Sequence, residues 1–292
     1  MKKRVLHLYI ITLVALFLSS CQSEAQSEKP IIYASIAPVK YIVESIVGSD
    51  FTVRVLVPSG ASPESFEPTP RQYIALNEAK AVMCIGLIDF EKSLISRLEG
   101  VRRVVELSKG VEVIAGSCSH NHSHNHSHTD EHHHGVDPHI WTSPVELQRM
   151  ALNCYEAIAT IYPDSTHYQK NYEFLQQSLE QLDAKVADAI SASGTKSFVI
   201  HHPAYTYFAR DYSLEQVSIE YEGKDPSTRR IGQLIEQARA EGISKVLYQR
   251  QFPSSVVDVI ASDIGAKAVA VDPLSEDIVT HIAEFTSLIT DK

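Results

Sequence analysis

The chain uses cysteine sparingly and lacks the common catalytic signatures, and both absences exclude chemistry. Four cysteines occur in 292 residues: Cys21, Cys84, Cys118 and Cys154. With Cys21 set aside for the reason given below, the remaining three are odd in number and fit no zinc-knuckle spacing. Neither a disulfide framework nor a cysteine-built structural zinc site is expected. Cys84 and Cys154 lie in apolar stretches and read as small buried hydrophobes. There is no His-Glu-x-x-His helix, no Gly-x-Ser-x-Gly elbow, no Cys/His nucleophile pair and no phosphate-cradling glycine loop, so an exported zinc hydrolase finds little support. Basic residues are in the minority, 26 Lys and Arg against 36 Asp and Glu, for a net charge of −10. An acidic surface argues against nucleic acid as partner and is compatible with cations.

The first twenty residues stand apart from the body. Lys2, Lys3 and Arg4 precede a mostly apolar stretch, Val5 to Leu18, and then Leu18-Ser-Ser-Cys21. The apolar part is shorter than the ~20 residues a membrane span needs, as in a secretory leader. Its end has the form of a bacterial lipobox, with Cys21 the lipid-bearing new N-terminus. Loss of residues 1–20 removes three positive charges and moves the net charge from −10 to −13. A polar tether, 21–30, follows. The expected location is extracytoplasmic, on a membrane through the lipid.

From Ile31 onward, strand-like and helix-like segments alternate. Phe51 to Val57 alternates apolar and polar positions like a strand, and Thr69-Pro70 opens a helix with Thr as N-cap and Pro at N1. Repeated β-then-α units of this size predict parallel sheets covered by helices. Between them, Tyr168, Tyr172, Leu175, Leu179, Leu182, Val186 and Ile190 recur at spacings of three and four, with no Pro or Gly from Asp164 to Ser193. That is one helix of about 40 Å, longer than a small α/β lobe requires. The expected architecture is an α/β lobe over 31–163, a connecting helix over 164–193 and a second α/β lobe over 194–292. A rigid connector argues against wide hinge closure. No internal sequence repeat accompanies the matching pattern.

The loudest local feature is the tract 118–134, which holds His120, His122, His124, His126, His128, His132, His133 and His134. Imidazole is the commonest protein ligand for zinc, copper and nickel. A tract with no apolar residues reads as a low-specificity metal antenna or as a solvated insert. His126-x-His128-x-Asp130 approaches a binuclear metallohydrolase motif. Glu131 stands where that motif needs His, and no strand leads into it.

A tight site needs ligands on folded elements, and open α/β sheets bind beyond the carboxyl ends of their strands. Four candidates stand at such junctions: Glu64 past strand 51–57, His139 before the helix at Ser143, His202 after strand 197–201, and Asp272 ending strand 268–271. Each alone is as readily a cap or a solvated residue; two per lobe is the informative arrangement. His201 is turned away from His202 by strand alternation.

Four motifs carry a resemblance: Gly60-Ala-Ser-Pro63 with Glu67-Pro-Thr-Pro70, Asp137-Pro-His-Ile-Trp141, His202-Pro-Ala-Tyr-Thr-Tyr207, and Gly265-Ala-Lys267 with Val271-Asp-Pro-Leu274. From about residue 31 to the C-terminus the chain resembles the cluster A-I solute-binding proteins of ABC transporters for zinc, manganese and iron. The resemblance implies two lobes bridged by a long helix, one ion in the cleft, and delivery by a monomeric receptor to a membrane permease with its cytoplasmic ATPase. It places ligands at His139, His202 and Asp272, and a first ligand at Glu64, where the family usually has His. Either Glu64 ligates, or water or a tract histidine completes the shell. Glu67, Asp137 and Glu220 are candidate orienters of the imidazoles.

Two imidazoles and two carboxylates form a harder set than three imidazoles, which suits manganese or iron. Zinc accepts the same donors, divalent affinity orders it above those ions, and zinc members of the family often carry a His-rich loop. Zinc is the expected ion, with manganese or iron the alternative. Four ligands from two lobes leave no open position for catalysis, as befits a carrier; a lipid-anchored storage or adhesion protein is the alternative from another class. The leader makes a direct prediction. Cys21→Ala should move the protein from the membrane fraction to the soluble fraction on cell fractionation, and retention in the membrane would refute the anchor.

Overall fold

The computed structural model describes residues 29–98, 104–116, 135–163, 165–220, 226–252 and 255–291. The leader, Cys21, Cys118 and the eight tract histidines lie outside the described residues. Two four-stranded parallel sheets organise the fold. The first contains β1 (Ile31–Ala34), β2 (Thr52–Val55), β3 (Ala81–Cys84) and β4 (Val104–Glu106), in the order β2-β1-β3-β4. The second contains β5 (Ser197–Ile200), β6 (Glu215–Ser218), β7 (Lys245–Gln249) and β8 (Lys267–Val271), in the order β6-β5-β7-β8. The two halves share one winding, which their sequences show only as a common pattern of elements. In each sheet the chain reverses direction across the first strand, which makes the carboxyl end of that strand a natural ligand position.

Helices α1 (Ala37–Val47), α2 (Pro70–Glu78) and α3 (Asp89–Leu98) accompany the first sheet. A 3-10 turn over Ile140–Thr142 leads into α4 (Pro144–Ile161). α5 runs from Thr166 to Ser193, 28 residues or about 42 Å, and ends where Gly194 adopts a left-handed φ of 68°. Its buried stripe is Tyr168, Leu175, Leu179, Leu182, Val186 and Ile190. That stripe packs against α1 and α4 of the first half and against α9 (Ile278–Thr290) of the second. α6 (Thr206–Asp211), α7 (Thr228–Ala240) and α8 (Ser255–Ile264) complete the second half. The six-residue α6 was not legible as a separate helix, and α9 begins at Ile278. There the Asp277 side chain accepts from Thr280 N at 3.0 Å and caps the helix.

One apolar core spans both halves through α5, and a smaller one lies behind the second sheet. Strand alternation explains the division. Phe198 and Ile200 of β5 face the large core with α5 and α9, while Val199 between them faces α7 and α8. A strand covered on both faces must be apolar throughout, and β5 is buried at every position. Cys84 and Cys154 are both free and buried. Among the described residues, no helix is long and apolar enough to cross a membrane.

If the α5 stripe joins the halves, cutting into it should be costly. Leu179→Ala, at a side chain 1% exposed, is expected to lower unfolding stability by about 2–5 kcal/mol. Phe174→Ala on the same helix, 76% exposed, should stay within about 0.5 kcal/mol. Urea unfolding of the two variants measures the contrast.

Candidate metal centre

Glu64 sits on the long connection after β2. Gln72 ties that connection down: its side chain caps α2 reciprocally with Thr69 and donates to Leu56 O at 3.0 Å, at the end of β2. His139 is fixed by the turn that introduces α4. Asp137 Oδ1 accepts from the His139 backbone N at 2.9 Å, and Thr142 Oγ1 lies 2.9 Å from His139 O. His202 follows β5, the strand at which the second sheet reverses direction. Gln249, at the end of β7, brackets its backbone by donating to His202 O at 2.9 Å and accepting from His202 N at 3.4 Å. The His202 ring stacks on Phe252, with centroids 4.7 Å apart.

These three side chains, two from the first half and one from the second, converge. One carboxylate oxygen of Glu64 and one nitrogen of each imidazole all lie within 4.8 Å of one another. Glu64 Oε1 is 3.0 Å from His202 Nε2 and 3.5 Å from His139 Nε2. The opposite ring nitrogens have carboxylates of their own: Asp137 Oδ1 is 2.8 Å from His139 Nδ1, and Glu220 Oε2 is 3.1 Å from His202 Nδ1. A ring that donates Nδ1–H to a carboxylate presents its Nε2 lone pair, so both rings are set to offer Nε2 to a common point. Glu67 is exposed and is not part of this arrangement.

Burial sets the electrostatics. Removal from water disfavours a charged His202, but Glu220 and Glu64 outweigh that penalty and push its pKa up to about 10. Burial works against the Asp137 carboxylate too, yet the neighbouring His139 holds it below its ordinary value. His202 Nε2 is nonetheless buried without a well-formed hydrogen bond among the described residues, with Glu64 Oε1 3.0 Å away. The space beside the three side chains is about 20 Å³, room for one water-sized body. A buried, imperfectly satisfied nitrogen beside a carboxylate and a second imidazole suits a small divalent cation, and the donor types suit zinc, manganese or iron.

Asp272 lies outside this group of three. Its Oδ1 accepts from Gln251 Nε2 at 3.2 Å and from Leu274 N at 3.1 Å. The sequence expectation of four gathered ligand atoms thus meets three gathered and one held aside by a hydrogen-bonding neighbour. Gln249, Gln251 and Phe252 also surround the site and were missed. They follow or end β7, where the strand-end rule that found His202 would have found them too.

The halves are fastened close to the site. Trp141 Nε1 donates to Pro273 O at 2.8 Å, and Thr142 Oγ1 also reaches Ala204 O at 3.0 Å. Tyr207 OH donates to Asp137 O at 2.7 Å and accepts from Ile114 N at 3.2 Å. Arg210 pairs with Glu146 at 2.5 Å across the same seam. These bonds fix the separation of His139 and His202 directly, without relying on the distant α5.

Fold and site together define a class: a two-lobed parallel α/β protein, helix-bridged, with a histidine–carboxylate cluster between its lobes. The family model described as "ZnuA: Zinc-uptake complex component A periplasmic" matches residues 32–290, and the chain belongs to that family. A crystal structure of ZnuA superposes with a TM-score of 0.80 at 30% identity, covering 90% of this chain and 99% of the other. The high-affinity zinc uptake system protein ZnuA of Bacillus subtilis is 29% identical over 283 residues, 91% of this chain and 88% of the relative. The zinc-binding lipoprotein AdcA of Streptococcus pneumoniae is 26% identical over 288 residues, 94% of this chain. The chain spans only 56% of the length of AdcA.

His202 offers a test that needs no metal. Glu220→Gln should lower the ring pKa from about 10 toward the ordinary ~6.5, read from the ring proton shifts in an NMR titration. Because the folded-state value is raised, the charged ring's contribution to stability is fully present below ~6.5 and lost as pH rises through about 10. The variant should lose part of that contribution on the acid side.

Proposed function

We propose that this protein is an extracytoplasmic zinc receptor, anchored by a lipid at Cys21, that captures one ion and delivers it to an ABC importer made of a permease and its ATPase. The observation that carries this reading is the convergence of Glu64, His139 and His202 from two lobes on one small buried space. In this reading those three are ligands, Asp272 is the fourth in the occupied state, and Asp137 and Glu220 orient the imidazoles. Membership of a zinc-uptake family and the zinc-binding names of its relatives favour zinc over manganese or iron. The protein is a carrier rather than an enzyme. Among the described residues, the carboxylates of Asp137 and Glu220 beside the cluster are engaged with ring nitrogens rather than arranged as general bases for a bound water.

Capture and release follow from proton competition. Imidazole must be deprotonated at the nitrogen that binds a metal. With its pKa at about 10, His202 carries a proton at neutral pH in the ion-free protein. Zinc entry therefore displaces roughly one proton from His202, and acid favours release. The fastenings around Trp141 and Tyr207 favour local rearrangement of side chains over wide opening of the lobes. The tract 118–134 acts as an antenna that raises the local zinc concentration, with the tight site elsewhere.

Titration calorimetry with zinc tests this reading. His139→Ala with His202→Ala should abolish stoichiometric tight binding, while deletion of 118–134 should leave one tight site. Loss of most capacity on deleting the tract would favour a storage protein, and near-normal affinity in the double variant would falsify the site. Repeating the titration in buffers of different ionisation enthalpy should show about one proton released per zinc at neutral pH.

A further inference from the structure

The Gln251 amide is bonded on one side and not on the other. Its Nε2 donates to Asp272 Oδ1 at 3.2 Å, while its Oε1 is buried and accepts no hydrogen bond among the described residues. A side-chain amide that leaves its oxygen unsatisfied in order to donate to a carboxylate is oriented by that carboxylate, because a hydrogen bond to a charged acceptor outweighs a neutral one. Gln251 also lies between two spaces. It lines the small cavity with Glu64, His139 and His202, and it lines the adjoining one that contains Asp272. The backbone around Asp272 has little freedom: Trp141, two residues beyond His139, holds Pro273 O at 2.8 Å, and Leu274 N donates back to Asp272. What remains able to change is the direction of the Asp272 side chain, and Gln251 is the side chain that restrains it.

We propose that Gln251 is a latch on the fourth ligand, drawing Asp272 back from the Glu64–His139–His202 group so that its bond to a bound ion is weak and the ion leaves quickly. The proposal rests on the reading of those three residues as ligands. A carrier must bind tightly enough to capture and loosely enough to surrender, and a restrained fourth carboxylate sets that balance without altering the first three ligands. Gln251 is thus a positioning residue that acts through Asp272. Removing its donor frees Asp272 to close on the ion.

Stopped-flow release of zinc to a chelator, on the full chain, tests the latch. Gln251→Met keeps the volume and removes the amide. It should slow release roughly 10-fold, as expected for loss of one hydrogen bond to a charged group, with little change in the rate of binding. The gain must vanish in the Asp272→Asn background, where the double variant should release zinc no more slowly than Asp272→Asn alone. Gln251→Leu should behave like Gln251→Met, which guards against one variant that folds poorly. Unchanged or faster release in both variants overturns the latch, and so does slowing that persists without Asp272. The His139→Ala, His202→Ala protein measured alongside separates the two ideas: if it still binds zinc tightly, the ligand assignment itself has failed; if it does not, an unresponsive Gln251→Met condemns the latch alone.

Discussion

The structure depends on the opposed hydrogen bonding of two imidazoles. His139 and His202 each have Nδ1 engaged by a carboxylate, from Asp137 and Glu220, and each turns Nε2 toward Glu64. An unpaired buried imidazolium or carboxylate would be costly, so none of these groups is tolerable in isolation. Together they are tolerable, because each carboxylate stands against a ring nitrogen. The alternation of acid and base around two rings fixes the orientation of each.

Such an arrangement requires fixed distances across a seam between two distinct sheets. The long α5 supplies coarse alignment by carrying one apolar stripe past α1, α4 and α9. Fine alignment comes from shorter links at the site itself. Tyr207, in the short helix that follows His202, bonds the carbonyl of Asp137, the residue that orients His139. Trp141, two residues after His139, bonds Pro273 beside Asp272. The segments bearing His139, His202 and Asp272 are each tied to a segment from the opposite half, so a displacement of one lobe would disturb several hydrogen bonds at once. This coupling favours small rearrangements of side chains over hinge motion, and it makes the side-chain position of Asp272 the natural variable.

Much of this was legible beforehand. The helix starts at Thr69-Pro70 and Ser143-Pro144 follow from capping chemistry confined to four consecutive residues, and α5 follows from periodicity alone. Glu64, His139 and His202 were accessible because ligand-type residues at strand ends are few. The six-residue α6 was not, since a helix so short has no periodicity to detect, and its position comes from Tyr207 and Phe208 packing into the core. Gln249 and Gln251 were overlooked because glutamine is chemically unremarkable until its neighbours are known.

The sequence by itself determined the alternation of strands and helices, the length of the connecting helix, the histidine tract and the small set of side chains able to form a site. These are properties of local spacing and residue chemistry, and they need no knowledge of what lies across the fold. Only the tertiary structure decided that Glu64 stands 3.0 Å from His202, across 138 positions of chain, while Asp272 turns to Gln251 instead. Such choices depend on differences of an ångström or two between groups far apart in the chain, and the packing of the two halves sets them.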